Sequence, residues 1–316
     1  MGDHHVVFGT GAIGAALVEE LAGAGVPVRA VNRSGTADLF AGVGPDGVEI
    51  VAGDAADPAF AASAARGAAT VYQCLNPPYH GWAEEFPALQ DSVVAAARAA
   101  GARYVSFENT YLYGDTGGRP MTEDTPTNAH TRKGRVRRAM AERLAELHGA
   151  GDLDVATARA SDYFGPRGVE QSPLGERMIG RALAGRSAQV IGDPDQPHSY
   201  TFTRDAARTL LALGTRDDVA GEIFHVPNAP ALTTREIAAL IGEQLGREVK
   251  VSPAPRLVLR LMGLFDPTVR ELDEMLYEFT QPFVVDGTKA EHRLGVQPTP
   301  MDEALSETIA WFRARR

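Results

Sequence analysis

One cysteine in 316 residues leaves no partner for an intrachain disulfide, so the chain must fold on packing and hydrogen bonds alone. That cysteine, Cys74, stands beside Val71, Tyr72 and Leu75, the surroundings of a buried strand thiol, with a catalytic nucleophile as the alternative. No apolar run is long enough to span a bilayer, and the first residues lack the basic, apolar and small-residue order of a secretion signal. With the single thiol, this points to a cytoplasmic setting. Basic residues are outnumbered 31 to 41, and the net charge of −10 argues against general binding to nucleic acid or anionic membranes. No CxxC or HExxH spacing suggests a metal. Internal repeats and low-complexity tails are also lacking, and His4 and His5 read as surface residues ahead of the first strand.

What is present is concentrated in HVVFGTGAIGAALVEEL, residues 5–21. An apolar run (Val6, Val7, Phe8) meets glycines spaced G-x-G-x-x-G at Gly9, Gly11 and Gly14, and Ile13, Leu17 and Leu21 then recur at helical spacing. Strand, glycine turn and helix in that order is the context in which the motif means dinucleotide binding. Gly9 permits the turn, Gly11 admits a pyrophosphate to the backbone, and Gly14 lets helix and strand pack closely. Thr10, Ala12 and Ile13 complete the cradle, whose helix N–H groups face the anion. Glycine is plentiful (33 residues), so the spacing alone would be weak; its placement carries the reading.

Strand-like runs near 4–8, 26–31, 48–52, 70–75, 103–108 and 154–159 alternate with helical runs at 12–24, 58–66, 83–100 and 132–148. This predicts an α/β fold with a Rossmann-type doubly wound parallel sheet. Beyond residue 160 prolines punctuate short elements, which predicts a smaller C-terminal substrate lobe. The expected division is a cofactor-binding domain over 1–160, with returning segments near 200–226 and 283–289, and a lobe over most of 161–316. Helices are also expected at 233–245, capped by Thr233 or Thr234, and at 301–314.

The second strand runs into Asn32, Arg33 and Ser34, where an NAD-selective site would place an acid for the ribose 2′-hydroxyl. Arg33 stands there instead, and a guanidinium suits a 2′-phosphate, so NADP(H) is preferred over NAD(H). The alternative is a solvated turn arginine. Asp54, after the third strand, is a candidate for the adenine amino group, and Leu75 for the cofactor's apolar wall.

In their shared order, VVFGTGAIG (6–14), AARAAGARYVSF (96–107), YLYGDTGGRPMTEDTP (111–126), AERL (141–144), SDYFGPRG (161–168), YTFTRDAARTLLAL (200–213), GEIFHV (221–226) and FVVDGTKAEHRLGVQPTPMDEAL (283–305) resemble extended short-chain dehydrogenase/reductases, the NAD-dependent epimerase/dehydratase group. The resemblance implies a Rossmann domain, a lobe closing over a small-molecule substrate, and a homodimer through the helices near 83–100 and 132–148. It also implies hydride transfer at a carbon bearing oxygen, with a Ser/Thr and a Tyr-x-x-x-Lys as the usual catalytic set. Aligned on AERL and Tyr113-Gly114, those three positions fall on Asn109, Lys133 and Arg137, so the chain looks like an atypical member.

Asn109 can still orient a carbonyl, Arg137 can hold ribose hydroxyls, and a desolvated Lys133 can exchange a proton or bind the cofactor. Tyr111 is a further candidate for the missing phenol. Tyr79, His80, Trp82 and Tyr163 are candidate substrate contacts, with packing as the alternative for the aromatics. The basic run Arg132, Lys133, Arg135, Arg137, Arg138 reads as one anion-facing side and one solvated face. The expected function is an NADPH-dependent reductase of a small carbonyl metabolite; the alternatives are an epimerase or dehydratase that retains its nicotinamide, and a non-catalytic NADP-binding redox sensor.

Overall fold

The structure, a computed structural model, describes residues 4–36, 47–253 and 273–315. Contacts divide the chain into two compact units. Unit 1 draws on Met1–Asn109, Arg135–Arg159 and Ala206–Phe224, and unit 2 on Thr110–Gly134, Ala160–Asp205 and His225–Arg316.

Unit 1 alternates β1 (His4–Phe8), α1 (Ala12–Gly23), β2 (Val28–Asn32), β3 (Val48–Ala52), α2 (Pro58–Ala64), β4 (Ala68–Gln73), α3 (Trp82–Ala100) and β5 (Arg103–Asn109). The chain continues through α4 (Arg132–Gly149), β6 (Val155–Ala160), β7 (Asp162–Phe164), α5 (Arg181–Leu183), β8 (Ala188–Val190), β9 (Pro197–His198), β10 (Tyr200–Phe202), α6 (Thr203–Thr215) and β11 (Ile223–His225). The seven-stranded sheet has the order β11-β6-β5-β4-β1-β2-β3, and β3, β2, β1, β4 and β5 pair in parallel. Buried faces on both sides explain its near-continuous apolar strands. Its order reverses between β1 and β4, and the carboxyl end of β1 at that switch carries the glycine turn.

Local chemistry sets the helix ends. Asp57 accepts a hydrogen bond from Ala59 N at 2.9 Å at the start of α2, with Pro58 in the first turn. Gly101, left-handed at φ 64°, ends α3. Val6, Phe8, Val71, Val93, Tyr104 and Leu144 anchor the core of unit 1.

One expectation fails at the start of the chain. His5 is not a surface residue ahead of the sheet: it lies inside β1, buried, with Nδ1 2.9 Å from Tyr72 Oη on β4. The strand begins two residues before the apolar run because pairing with β2 extends to His5 and pairing with β4 to His4.

Unit 2 pairs β10 with β7, β9 with β12 (Leu232–Thr233) and β8 with β13 (Val251–Pro253). Its helices include a π-helical turn Gly175–Gly180 running into α5, then α7 (Thr234–Leu245), α8 (Thr288–Leu294) and α9 (Met301–Ala314). Thr233 and Glu236 form a reciprocal capping box on α7. Phe164, Met178, Tyr200, Ile237, Leu305 and Phe312 lie in one core. Residues 110–134, expected within the first domain, group with unit 2, because Met121 N donates to Val284 O at 2.8 Å and Asp286 N to Met121 O at 2.9 Å.

Candidate functional site

The three glycines of the β1–α1 turn serve different ends. Gly9 sits at φ 95°, and a Cβ there would lie 2.7 Å from Cys74 O. At Gly14 a Cβ would lie 1.8 Å from Gly9 O, so helix and turn touch backbone to backbone. Gly11 has an ordinary φ of −67°, and a Cβ there would meet nothing within 4 Å. Close packing requires Gly9 and Gly14 to be glycine, and it does not require Gly11. The open space over Gly11, at the start of a helix that no side chain caps, is what an approaching anion needs.

Thr10, buried, accepts a hydrogen bond from Asn32 Nδ2 at 3.1 Å. Asn32 Oδ1 accepts from Gly35 N at 2.6 Å and from Ser34 Oγ at 3.3 Å, and Asn32 O accepts from Gly53 N at 3.0 Å. Thr10, Asn32, Ser34 and Gly53 are thus tied into one rim, with Ala12 and Ile13 buried behind it. Arg33 projects from this rim exposed to solvent. Asp54 is exposed and accepts from Ala56 N at 3.0 Å, which fixes its turn. Leu75 packs against the core of unit 1. Cys74 falls just beyond β4, and burial pushes its thiol up to about 12, so it is no nucleophile.

Asn109 ends β5, half-buried. Beside it Glu108 accepts from Arg159 Nε at 3.0 Å and from Ser106 Oγ at 3.2 Å, with both charged side chains buried. Neither residue was singled out from the sequence, although Arg159 is the lone charge in the apolar strand β6. Arg137 is only 3% exposed. Its guanidinium lies 4.6 Å over the Phe86 ring and 3.6 Å from Met140 Sδ, and among the described residues no carboxylate lies within ion-pair distance. Desolvation lowers its pKa from the ordinary value, and Glu108 and Tyr104 oppose that.

On the same helix, one turn earlier, Lys133 is also 3% exposed, while Arg132 and Arg135 face solvent and Arg138 pairs with Glu142 at 3.5 Å. The basic run therefore divides into a buried side and a solvated side. Glu274, in a 3-10 turn (Asp273–Phe279), caps α4 from a distance: its carboxylate accepts from Arg132 N at 2.9 Å and Lys133 N at 3.2 Å.

The aromatic candidates separate. Trp82 is buried, donates to Pro77 O at 3.2 Å, and packs edge-on against Tyr79 and Phe86 with centroids at 5.2 Å, a packing arrangement. His80 is exposed. In unit 2, Tyr111 is half-buried, and Tyr113 Oη lies 2.7 Å from His225 Nε2 in the core. Tyr163 donates to Gln171 Oε1 at 2.8 Å, and burial, then Asp162, push its phenol up to about 12. Asp162 itself lies 3.1 Å from His198 Nε2.

No metal-binding cluster and no helix able to cross a membrane occur among the described residues. The sequence model of the NAD dependent epimerase/dehydratase family matches residues 6–226. A dTDP-glucose 4,6-dehydratase from Actinoplanes sp. is 28% identical over 70% of this chain and 63% of its own length. A UDP-glucose 4-epimerase from Mycolicibacterium smegmatis is 28% identical over 69% of the chain and 65% of its own length. The chain thus matches under two thirds of each of these relatives. The crystal structure of a Streptomyces venezuelae dTDP-glucose 4,6-dehydratase with NAD bound superposes with a TM-score of 0.81 over 99% of this chain and 98% of that one, at 21% identity, a likeness of fold.

Proposed function

We propose, from the premise that the chain belongs to the NAD dependent epimerase/dehydratase family, that it is a nicotinamide-dinucleotide enzyme of the epimerase or dehydratase type. In this reading the cofactor is retained while a hydroxyl- or carbonyl-bearing carbon of a small molecule is transformed. The observation that carries the reading is the space over Gly11, which the fold leaves open and a pyrophosphate would fill. Gly9, Thr10, Gly11, Ala12, Ile13 and Gly14 would hold the pyrophosphate, Asn32, Arg33 and Ser34 the adenosine ribose, and Asp54 and Leu75 the adenine. Asn109, Arg137 and Lys133 take the positions next to the reacting end, and Tyr111 is the nearest phenol in sequence. Tyr79, His80 and Tyr163 remain the proposed substrate contacts. When bound, the nicotinamide supplies the hydride acceptor or donor.

The buried Arg137, with no carboxylate at ion-pair distance among the described residues, fits this arrangement, since a guanidinium can hold ribose hydroxyls yet stays protonated at working pH. A second reading, net reduction of a carbonyl with NADPH, is favoured by Arg33, which leaves the β2 rim exposed where a 2′-phosphate would sit. Our reading includes a homodimer through α3 and α4, which sedimentation would test.

Calorimetric titration with NADP⁺ and NAD⁺ tests the core of the proposal. Stoichiometric binding is expected, tighter for NADP⁺, and Arg33→Asp should reverse the order of the two. Absence of binding to both would sink it. Incubation of loaded protein with carbonyl and polyol panels then separates retained-cofactor turnover from net NADPH consumption, and tight binding without any turnover favours a sensor.

A further inference from the structure

Helix α3 presents Trp82, Phe86 and Gln90 at four-residue spacing on one face, and all three are buried. Gln90 donates from Nε2 to Met140 O at 3.0 Å, which fastens this face to α4. Three residues before Met140, the Arg137 guanidinium lies over the Phe86 ring, with Cζ 4.6 Å from its centroid. Trp82 meets Phe86 edge-on with centroids at 5.2 Å, and Tyr79 meets Trp82 in the same way at 5.2 Å. The ring beneath the guanidinium is thus itself clamped by edge-to-face neighbours. Every residue of this column belongs to unit 1.

A buried guanidinium is ordinarily matched by a carboxylate, which takes its in-plane N–H donors in a fork. Among the described residues the hydrogen-bond partner of Arg137 is instead the Met140 thioether sulfur at 3.6 Å, a weak acceptor. An aromatic ring attracts the cation through its electron-rich face and supplies no lone pair to occupy those donors. Phe86 therefore holds the charge in a dry place and leaves the N–H groups to an acceptor oxygen of a ligand. The attraction is strongest where both partners are desolvated, as here. Without the ring, the long side chain would spread over several rotamers. Affinity for a ligand that needs one of them would fall with its population.

We propose that Phe86 is a positioning residue whose ring fixes the Arg137 guanidinium in the orientation that binds the cofactor ribose. Trp82 keeps that ring in place from behind. This rests on the proposed function, in which Arg137 holds the ribose hydroxyls, and adds the residue through which it does so.

Phenylalanines carrying one, two or three ring fluorines, placed at position 86 alone, test this. Fluorine withdraws charge from the ring face and hardly changes its size. Calorimetric titration of the full chain with NADP⁺ and NAD⁺ should show affinity falling at each step, about tenfold by the third fluorine. In the Arg137→Met background the same series should be flat. Equal affinity across the series in the wild-type background overturns the proposal. So does an equal slope in both backgrounds, which would make Phe86 a packing residue. Phe86→Leu removes the ring face altogether and should lose at least as much affinity as the trifluorinated ring; unchanged binding overturns the proposal too. If Phe86→Leu does not fold, the fluorine series decides alone. Tight nucleotide binding with a flat series strikes this proposal by itself, whereas a wild type that binds neither nucleotide strikes the cofactor reading and this proposal with it.

Discussion

Arg159 Nε meets Glu108 Oε2 at 3.0 Å with both side chains out of solvent, and Glu108 is the main carboxylate counterweight to Arg137, which Arg159 opposes. Removing one partner strands the other. Glu108→Gln should cost about 3–5 kcal/mol, the usual penalty for an uncompensated buried charge. Here it leaves two cations facing a neutral amide. The double variant Glu108→Gln/Arg159→Met should recover much of that loss, because it removes one of the stranded charges. Urea unfolding of the single and double variants measures both, and an additive double variant would show that the two groups are not coupled.

Arg137 should behave in the opposite way. Its guanidinium is desolvated over Phe86 without a carboxylate of its own, so it is held at a cost to stability. Arg137→Met keeps an apolar stem and deletes the charge. The variant should unfold at an equal or higher temperature while its affinity for NADP⁺ falls tenfold or more. Loss of stability without loss of affinity would make Arg137 a packing residue.

The glycine turn gives a sharper contrast. Gly14→Ala would place a carbon 1.8 Å from Gly9 O, so the helix must move and both stability and nucleotide binding should fall. Gly11→Ala meets nothing within 4 Å, so its cost to the fold is confined to a poorer N-cap residue, about 1 kcal/mol or less. Thermal melting should therefore leave Gly11→Ala intact, and fluorescence titration should show weakened NADP⁺ binding. Equal binding by wild type and Gly11→Ala would remove the main support for the cofactor site.

Much of unit 1 is legible because its signals are local. Apolar runs, helix periodicity and stop residues such as Gly101 place β1 to β6 and α1 to α4 within two residues of their observed ends. Thr233 and the helix 301–314 are equally local in origin. What the sequence hides is pairing at a distance. Glu108 finds Arg159 51 residues later, Glu274 caps α4 from 142 residues away, and His198 meets Asp162 across 36. No spacing rule links these residues, since tertiary packing alone brings them together. His5 shows the same limit at short range: a polar residue beside an apolar run reads as surface until Tyr72 is seen to receive it.

His5 also makes the pH dependence of stability predictable. Desolvation first, and the neighbouring His4 second, lower its pKa from 6.5 to about 4, so the folded protein keeps the ring neutral where the unfolded chain protonates it. The stabilisation is complete above pH 6.5, shrinks by about 1.4 kcal/mol per pH unit as the unfolded state takes up its proton, and reaches its floor near pH 4. The depressed carboxylates, Asp115 and Asp286 among them, start from 3.8 and act at the bottom of that window or below it. His5→Leu removes the titrating ring and leaves Tyr72 Oη without that partner. The variant should thus be less stable by a constant amount at pH 7, yet lose less between pH 6.5 and 4. Urea midpoints taken across that range decide the matter: parallel wild-type and variant curves would assign the acid sensitivity to another group.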